Sequence, residues 1–344
     1  MRTSFDVLTI LRIEKLNTST KENSTHTPIL SVQHLKKYFP IRSTFFKRRV
    51  GWLKAVDGVS LDIYPGELMG LVGESGCGKS TFGKTILGMY TPNEGQIIFK
   101  NRDIINLSTD EKRKMRRKIQ YVYQDPAASL DSWWSVGRLL REPLVIHTKM
   151  TRAEMDDKVL YLLSAVGLRG EDLYRYPHEF SGGQQKRLGL ARVLTLNPEL
   201  IIFDEPTAGL DVSVQAKILK LLINLKADFQ LTYIFISHNL SVVRMICNRM
   251  AVMYLGKIME ISTTEKLFNM PFHPYTKTLL EAIPQIGERK KHDNLFLTGE
   301  PPNPENMPAG CRFQSRCAFK REICEKIEPA IQEIETGHFV ACHL

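Results

Sequence analysis

Gly73-Glu74-Ser75-Gly76-Cys77-Gly78-Lys79-Ser80 decides the reading of this 344-residue chain. The compact apolar run from Leu68 to Val72 precedes it, and a stretch of helical character from Lys79 to Leu87 follows. Glycine, four residues, then Gly-Lys-Ser, set between a strand and a helix, is the pattern of a phosphate-binding loop. The glycines let successive backbone N–H groups turn inward, and the helix start adds a positive dipole. Lys79 is placed to reach the β and γ phosphates, Ser80 to ligate Mg²⁺ and Thr81 to support the α-phosphate. Cys77 reads as a small backbone-donor position, not a nucleophile. Without its flanks the run would be a glycine-rich turn with an incidental lysine.

Such a loop needs an acidic counterpart, and Leu200-Ile201-Ile202-Phe203-Asp204-Glu205 supplies an apolar strand with two carboxylates at its carboxyl end. Asp204 is expected to hold Mg²⁺, and Glu205 to orient and deprotonate an attacking water. Tyr233 to Ile236 is a second wholly apolar run, as expected for strands covered on both faces of a parallel sheet. Upstream, Ile29 to Val32, Leu35 to Phe39 and Ala55 to Ile63 read as antiparallel strands, with Phe45, Phe46, Lys47, Arg48, Arg49 and Trp52 as a solvated basic aromatic insertion. Ser135 to Gly167 has helical spacing at Val159, Leu162, Leu163 and Val166, and another helix follows Ser181. The expected fold is α/β, with a small antiparallel β portion at its start. No repeat is evident, so one cassette is expected.

Composition narrows the class further. Hydrophobic residues at 43% and charged residues at 24% exclude global disorder. No apolar run approaches the roughly 18 to 20 residues a membrane helix needs, so any membrane role is expected to be peripheral. Lys and Arg total 47 against 37 acids, a net +10 that suits anionic partners without choosing among them. The first 27 residues lack a long apolar core and a cleavage site and read as a flexible leader in a cytoplasmic context. Four of six cysteines, Cys311, Cys317, Cys324 and Cys342, crowd near the end with five, six and seventeen residues between them. That spacing suits a four-thiolate site for an iron–sulfur cluster or zinc, with free thiols as the alternative.

Three further motifs, Phe180-Ser181-Gly182-Gly183-Gln184, Asp204-Glu205-Pro206-Thr207-Ala208-Gly209-Leu210-Asp211 and Ser237-His238, resemble those of the ABC ATPase family. The resemblance covers all but the leader. It implies an ABC-type P-loop NTPase core with an N-terminal antiparallel β subdomain, a helical signature subdomain at about 125–185, and ATP and Mg²⁺ as ligands. By it, Ser181 and Gly183, flanked by Gly182 and Gln184, clamp the γ-phosphate held by the other subunit's loop. Gln124 senses Mg²⁺, His238 contacts the γ-phosphate, Asp211 lies in a dimer-bridging loop and Tyr38 stacks on adenine. Gln185-Lys186 departs mildly from the family form and is expected to affect nothing catalytic.

Leu267 to Thr276, Leu297 to Pro302, Gly310 to Phe313 and Gly337 to Leu344 resemble the C-terminal extension of oligopeptide and dipeptide importer ATPases, nearest to the second ATPase of such systems. The implied domains are a leader over 1–27, an ABC ATPase domain over 28–265 and an extension over 266–344. The implied partners are a second ATPase subunit in a heterodimer, two membrane permeases and, indirectly, an extracytoplasmic peptide-binding protein, at the cytoplasmic face of a bacterial inner membrane. Some relatives hold a [4Fe–4S] cluster on the corresponding cysteines. Trp133-Trp134 departs from the family form and is read as burying against a permease helix or packing in the core. Nickel complexes and oligosaccharides are alternative cargoes. A soluble ABC ATPase of DNA repair or translation is disfavoured by the single cassette and the permease-type extension, and a purely regulatory module by Glu205, His238 and Gln124 together. No nucleic-acid partner is expected.

Overall fold

A computed structural model describes residues 27–42, 49–124, 130–283, 302 and 307–344. The leader through residue 26, the Phe45 to Arg48 part of the basic insertion, Asp125 to Ser129 and Leu297 to Pro301 lie outside the described residues. In chain order the elements are β1 (Leu30–Arg42), β2 (Arg49–Ile63), β3 (Leu68–Val72), α1 (Lys79–Ile86), β4 (Glu94–Phe99), β5 (Arg102–Asp103), α2 (Thr109–Lys118), β6 (Ile119–Val122), α3 (Val136–His147), α4 (Arg152–Ala165), α5 (Gly182–Leu194), β7 (Leu200–Asp204), α6 (Val212–Asp228), β8 (Thr232–Ser237), α7 (Leu240–Ile246), β9 (Arg249–Tyr254), β10 (Lys257–Thr263), α8 (Thr264–Asn269), α9 (Pro274–Glu281), α10 (Ile323–Lys326), β11 (Gln332–Glu335) and β12 (His338–Val340).

Two compact units emerge, one of residues 108–234 and one of 28–107 with 235–344. In the first, β6 and β7 run parallel, Ile119 opposite Leu200 through Val122 opposite Phe203. Every residue of β7 is buried, as its unbroken apolar run requires for a strand covered on both faces. The stretch read as helical from Ser135 to Gly167 is two helices, not one. α3 ends at His147, and Thr151 starts α4 by accepting the Glu154 N–H while the Glu154 carboxylate takes the Thr151 N–H at 2.6 Å. This reciprocal cap satisfies two donors that a helix start leaves open. Val159, Leu162 and Leu163 form the buried stripe of α4, as their spacing predicts.

The second unit carries an antiparallel sheet in the order β2-β1-β4-β5 and a ladder β11-β12-β10-β9-β3, in which β3 and β9 are parallel. The β1–β2 hairpin pairs from Leu30–Ile63 to Arg42–Arg49, so Trp52 is a strand residue opposite Pro40, half-exposed at the sheet's end. Strand β12, near the chain's end, adds to β10 and is fixed there by a buried acid. The Glu260 carboxylate takes the His338 Nε2 proton at 2.7 Å, the Phe272 N–H at 2.7 Å and the His273 N–H at 3.0 Å. Tyr254, Tyr275 and Phe313 close over this ladder with ring centroids 4.6 to 5.4 Å apart. Among the described residues no helix is long and apolar enough to cross a membrane.

Candidate functional site

The second unit presents the phosphate loop, Tyr38 and His238. β3 delivers Gly73, and α1 begins at Lys79 with Gly78 in a left-handed conformation as its cap. Only glycine fits at both loop ends. A Cβ on Gly73 would stand 2.1 Å from the Met253 carbonyl oxygen, and one on Gly78, at φ 108°, 2.0 Å from that of Ala55. Lys79 is buried, and its Nζ donates to the Gly73 and Glu74 carbonyls at 2.8 Å each. The ammonium thus sits inside its own loop, where a phosphate can exchange for the carbonyls. Glu74, Ser75 and Gly76 form the outer turn, Ser75 and Gly76 exposed, while Ser80 and Thr81 begin α1 half-buried. Cys77 is buried beside Lys79, and burial raises its thiol pKa, which fits a packing position and not a nucleophile.

Tyr38 sits in β1 with its hydroxyl donating to Asp57. Burial and then the Asp57 carboxylate push its pKa upward. The neighbouring Phe39 ring is committed elsewhere, edge-on to Tyr90 at 5.2 Å. Burial opposes the Asp57 charge, but the Tyr38 hydroxyl and the Arg312 and Lys257 cations outweigh it and hold its pKa below the usual carboxylate value. Asp57 went unread in the sequence because nothing local marks it. His238 is exposed just past the end of β8.

The first unit presents Gln124, the signature segment and the acid pair. Asp204 ends β7 buried and accepts the Tyr121 hydroxyl proton at 2.6 Å. Glu205 follows with φ 49°, a left-handed backbone uncommon for a residue with a side chain. Such strain collects where a side chain must be aimed. Ser181 caps α5, accepting the Gln184 N–H, while the Gln184 side chain takes the Ser181 N–H at 3.0 Å. Ser181 and Gly182 are exposed at that helix start, and Gly183 is half-buried. Lys186, a motif departure from which no catalytic effect is expected, donates to the Pro206 and Ala208 carbonyls at 2.9 and 2.7 Å and so ties the signature helix to the turn after Glu205. Gln124 is exposed past the end of β6, and Asp211 is exposed at the start of α6.

Trp133 is 89% exposed, which rules out core packing for that ring. Trp134 lies under the Arg138 guanidinium, 3.8 Å from its ring centre. It lines an open groove of about 410 Å³ with Arg138, Arg141, Glu142, Val145 and Ile146.

The four C-terminal cysteines line one small, partly open pocket together with His273 and Phe313. Burial pushes the Cys311 thiol up to about 11 and also raises Cys317 and Cys342. Among the described residues, however, no group of three His, Cys, Asp or Glu side chains is arranged to hold a metal ion.

Residues 56–208 match the family model for ABC transporters, and 259–324 that for the oligopeptide/dipeptide transporter C-terminal region. The chain is 51% identical to the oligopeptide transport ATP-binding protein AppF of Bacillus subtilis over 92% of its own length and 97% of the relative's. It is 42% identical to the dipeptide transport ATP-binding protein DppF of Haemophilus influenzae over 94% and 98%. Among solved structures, cbiO1 from Clostridium perfringens, part of the ABC transporter complex cbiONQ, matches at 29% identity and a TM-score of 0.61, over 71% of this chain and 91% of that one. The ATP-binding cassette MJ0796, in a dimeric post-hydrolysis state bound to ADP and Pi, matches at 28% and 0.60, over 68% and 98%. A phosphate loop, an acid pair and a capped signature helix on one chain, followed by that C-terminal region, place the protein among the ATP-binding subunits of ABC transporters, in their oligopeptide/dipeptide branch.

Proposed function

We propose that this chain hydrolyses ATP to power peptide import through an ABC transporter. What carries the reading is the conjunction of a complete ATPase motif set with an extension matching the oligopeptide/dipeptide C-terminal region. The hydrolytic roles follow from chemistry. Phosphoryl transfer asks the protein mainly for positioning and charge stabilisation. Lys79 exchanges its two loop carbonyls for the β and γ phosphates, and the loop N–H groups and the α1 dipole share their charge. Tyr38 stacks on the adenine. Ser80, Asp204 and Gln124 offer the hard oxygen donors that suit Mg²⁺, which supplies charge neutralisation on the phosphates when bound. Asp204 fits that role, since its carboxylate is buried at a strand end with the Tyr121 hydroxyl orienting one oxygen. Glu205 orients the attacking water and takes its proton, and His238 contacts the γ-phosphate. Ser181 and Gly183 present the α5 start to a nucleotide held by a second ATPase subunit, across a loop containing Asp211.

The groove at Trp134 and Arg138, lined also by the exposed Val145 and Ile146, offers an apolar and cationic seat for one of two membrane permeases. That docking, with a heterodimeric ATPase pair fed by an extracytoplasmic peptide-binding protein, puts the chain at the cytoplasmic face of the membrane. The four cysteines are the candidate holders of a [4Fe–4S] cluster. Thiols raised by burial must lose protons to bind it, so iron and sulfide analysis of anaerobically purified protein is the direct test, and finding neither removes it.

The functional test is Glu205→Gln, reconstituted with the partner ATPase and permeases. ATP hydrolysis and peptide uptake should fall by roughly 10²- to 10⁴-fold while ATP still binds and the dimer accumulates. Unchanged turnover would assign hydrolysis to the partner and leave this chain regulatory.

A further inference from the structure

The segment from Cys311 to Cys317 carries two arginines whose partners lie far back in the sequence. Arg312 is 3% exposed, and its guanidinium donates to the Leu255 carbonyl and to one oxygen of Asp57. The other Asp57 oxygen holds the Tyr38 hydroxyl. Arg316, its side chain 5% exposed, meets Glu74 in a two-pronged pair, Nη1 to Oε2 at 2.9 Å and Nη2 to Oε1 at 3.0 Å. Arg316 also donates to the Tyr254 hydroxyl at 3.3 Å. Tyr275, from α9, accepts the Glu74 backbone N–H at 3.0 Å. Both the amide and the carboxylate of the second residue of the phosphate loop are thus held by side chains from the extension, with Tyr254 of β9 behind Arg316.

We infer that Arg316 is a positioning residue for the nucleotide, holding the phosphate loop through Glu74 and cancelling a carboxylate that would otherwise face the phosphates, with Arg312 holding Tyr38 through Asp57. The inference rests on the ATP-binding reading. Its physical basis is twofold. A glycine-rich loop that enters binding already ordered loses less conformational freedom, and a planar guanidinium fork fixes a carboxylate in orientation as well as in charge. Beside a triphosphate, an uncompensated Glu74 repels with an energy that grows in a poorly hydrated site. The C-terminal extension, a satellite module by sequence, becomes part of the nucleotide site's support.

The test is competition of ATP and ADP against MANT-ATP on the full-length chain. Arg316→Gln is expected to weaken ATP about tenfold, some 1.4 kcal/mol, and ADP less, because the exposed Glu74 charge repels the more anionic ligand harder. Adding Glu74→Gln to Arg316→Gln removes that charge and is expected to restore ATP affinity to within about threefold of wild type. A purely structural arginine predicts the opposite, a double variant no better than the single. ATP bound equally by wild type and folded Arg316→Gln, or a double variant as weak as the single, overturns the inference. If Arg316→Gln does not fold, Arg316→Lys decides: it keeps the charge but loses the fork, and wild-type ATP affinity there overturns the positioning role. A wild-type chain that fails to bind ATP would instead overturn the nucleotide reading beneath it.

Discussion

Replacing Glu260 with alanine should detach the C-terminal strand, and the cost can be worked from its contacts. The carboxylate is fully buried and receives three donors, His338 Nε2 and the Phe272 and His273 amides. Its backbone pairs with Val340 on one side and Val252 on the other. Alanine strands two backbone N–H groups and an imidazole N–H, each costing about 1–3 kcal/mol when buried without a partner. With the Phe272 amide only partly buried, the three stranded donors put the expected local loss near the low end of their sum, about 4 kcal/mol. Glutamine keeps one acceptor oxygen and should cost about half as much. Because the chain forms two compact units, a single unfolding transition is not the right observable, and local hydrogen exchange is. The Ala341 amide, which donates to Met259 O at 2.9 Å, reads the β10–β12 edge. Its exchange should accelerate by about three orders of magnitude in Glu260→Ala, at 1.4 kcal/mol per decade. Less than a tenfold change would refute the reasoning and mean that apolar packing alone holds the strand.

Gly78→Ala should abolish ATP binding while leaving the far-ultraviolet circular dichroism near wild type, since a Cβ at φ 108° meets the Ala55 carbonyl and must displace the loop; retained affinity within threefold would count against a preformed loop. Lys186→Met should lower kcat by about tenfold with ATP affinity little changed, because it releases the Pro206 and Ala208 carbonyls behind Glu205, and a steady-state assay of the assembled transporter separates the two. Burial lowers the His273 pKa from 6.5 to about 3, so the unfolded chain takes up the proton first and folding stability is lost as pH falls from about 6.5 toward 3. Local opening free energies from hydrogen exchange around α9, compared for wild type and His273→Asn at pH 7.5 and 4.5, should therefore converge at the lower pH.

What the sequence disclosed follows the range of the interaction that fixes each feature. Runs such as Leu68 to Val72 and Leu200 to Phe203 announce buried strands because burial on both faces is written residue by residue. The phosphate loop is equally local, since its glycines answer to backbone geometry within a few residues. The division between α3 and α4 was also legible, had Thr151-x-x-Glu154 been taken as a capping box inside an otherwise periodic stretch. The support around the loop was not. Arg316 finds Glu74 across 242 residues and Arg312 finds Asp57 across 255, and no periodicity or spacing encodes such a pairing. Glu260 left a fainter trace, an acid amid Ile258, Met259 and Ile261, which calls for a buried partner without saying that it is His338.

Glu205 shows how the two residues of a mild motif departure are used structurally. Its left-handed backbone costs roughly 1–2 kcal/mol and persists only if its surroundings over-determine it. The turn that follows closes with the Ala208 N–H on the Glu205 carbonyl at 3.1 Å. Lys186 then takes the Pro206 and Ala208 carbonyls, and Gln215 takes that of Thr207 at 3.1 Å. Gln185, the other departing residue, donates to Pro177 O and Phe180 O and anchors the approach to Ser181. The two adjacent side chains therefore join the approach to the signature serine and the turn after the acid pair to the same helix, α5. Two side chains that look interchangeable in a motif thus tie the start of α5 to the turn that aims Glu205.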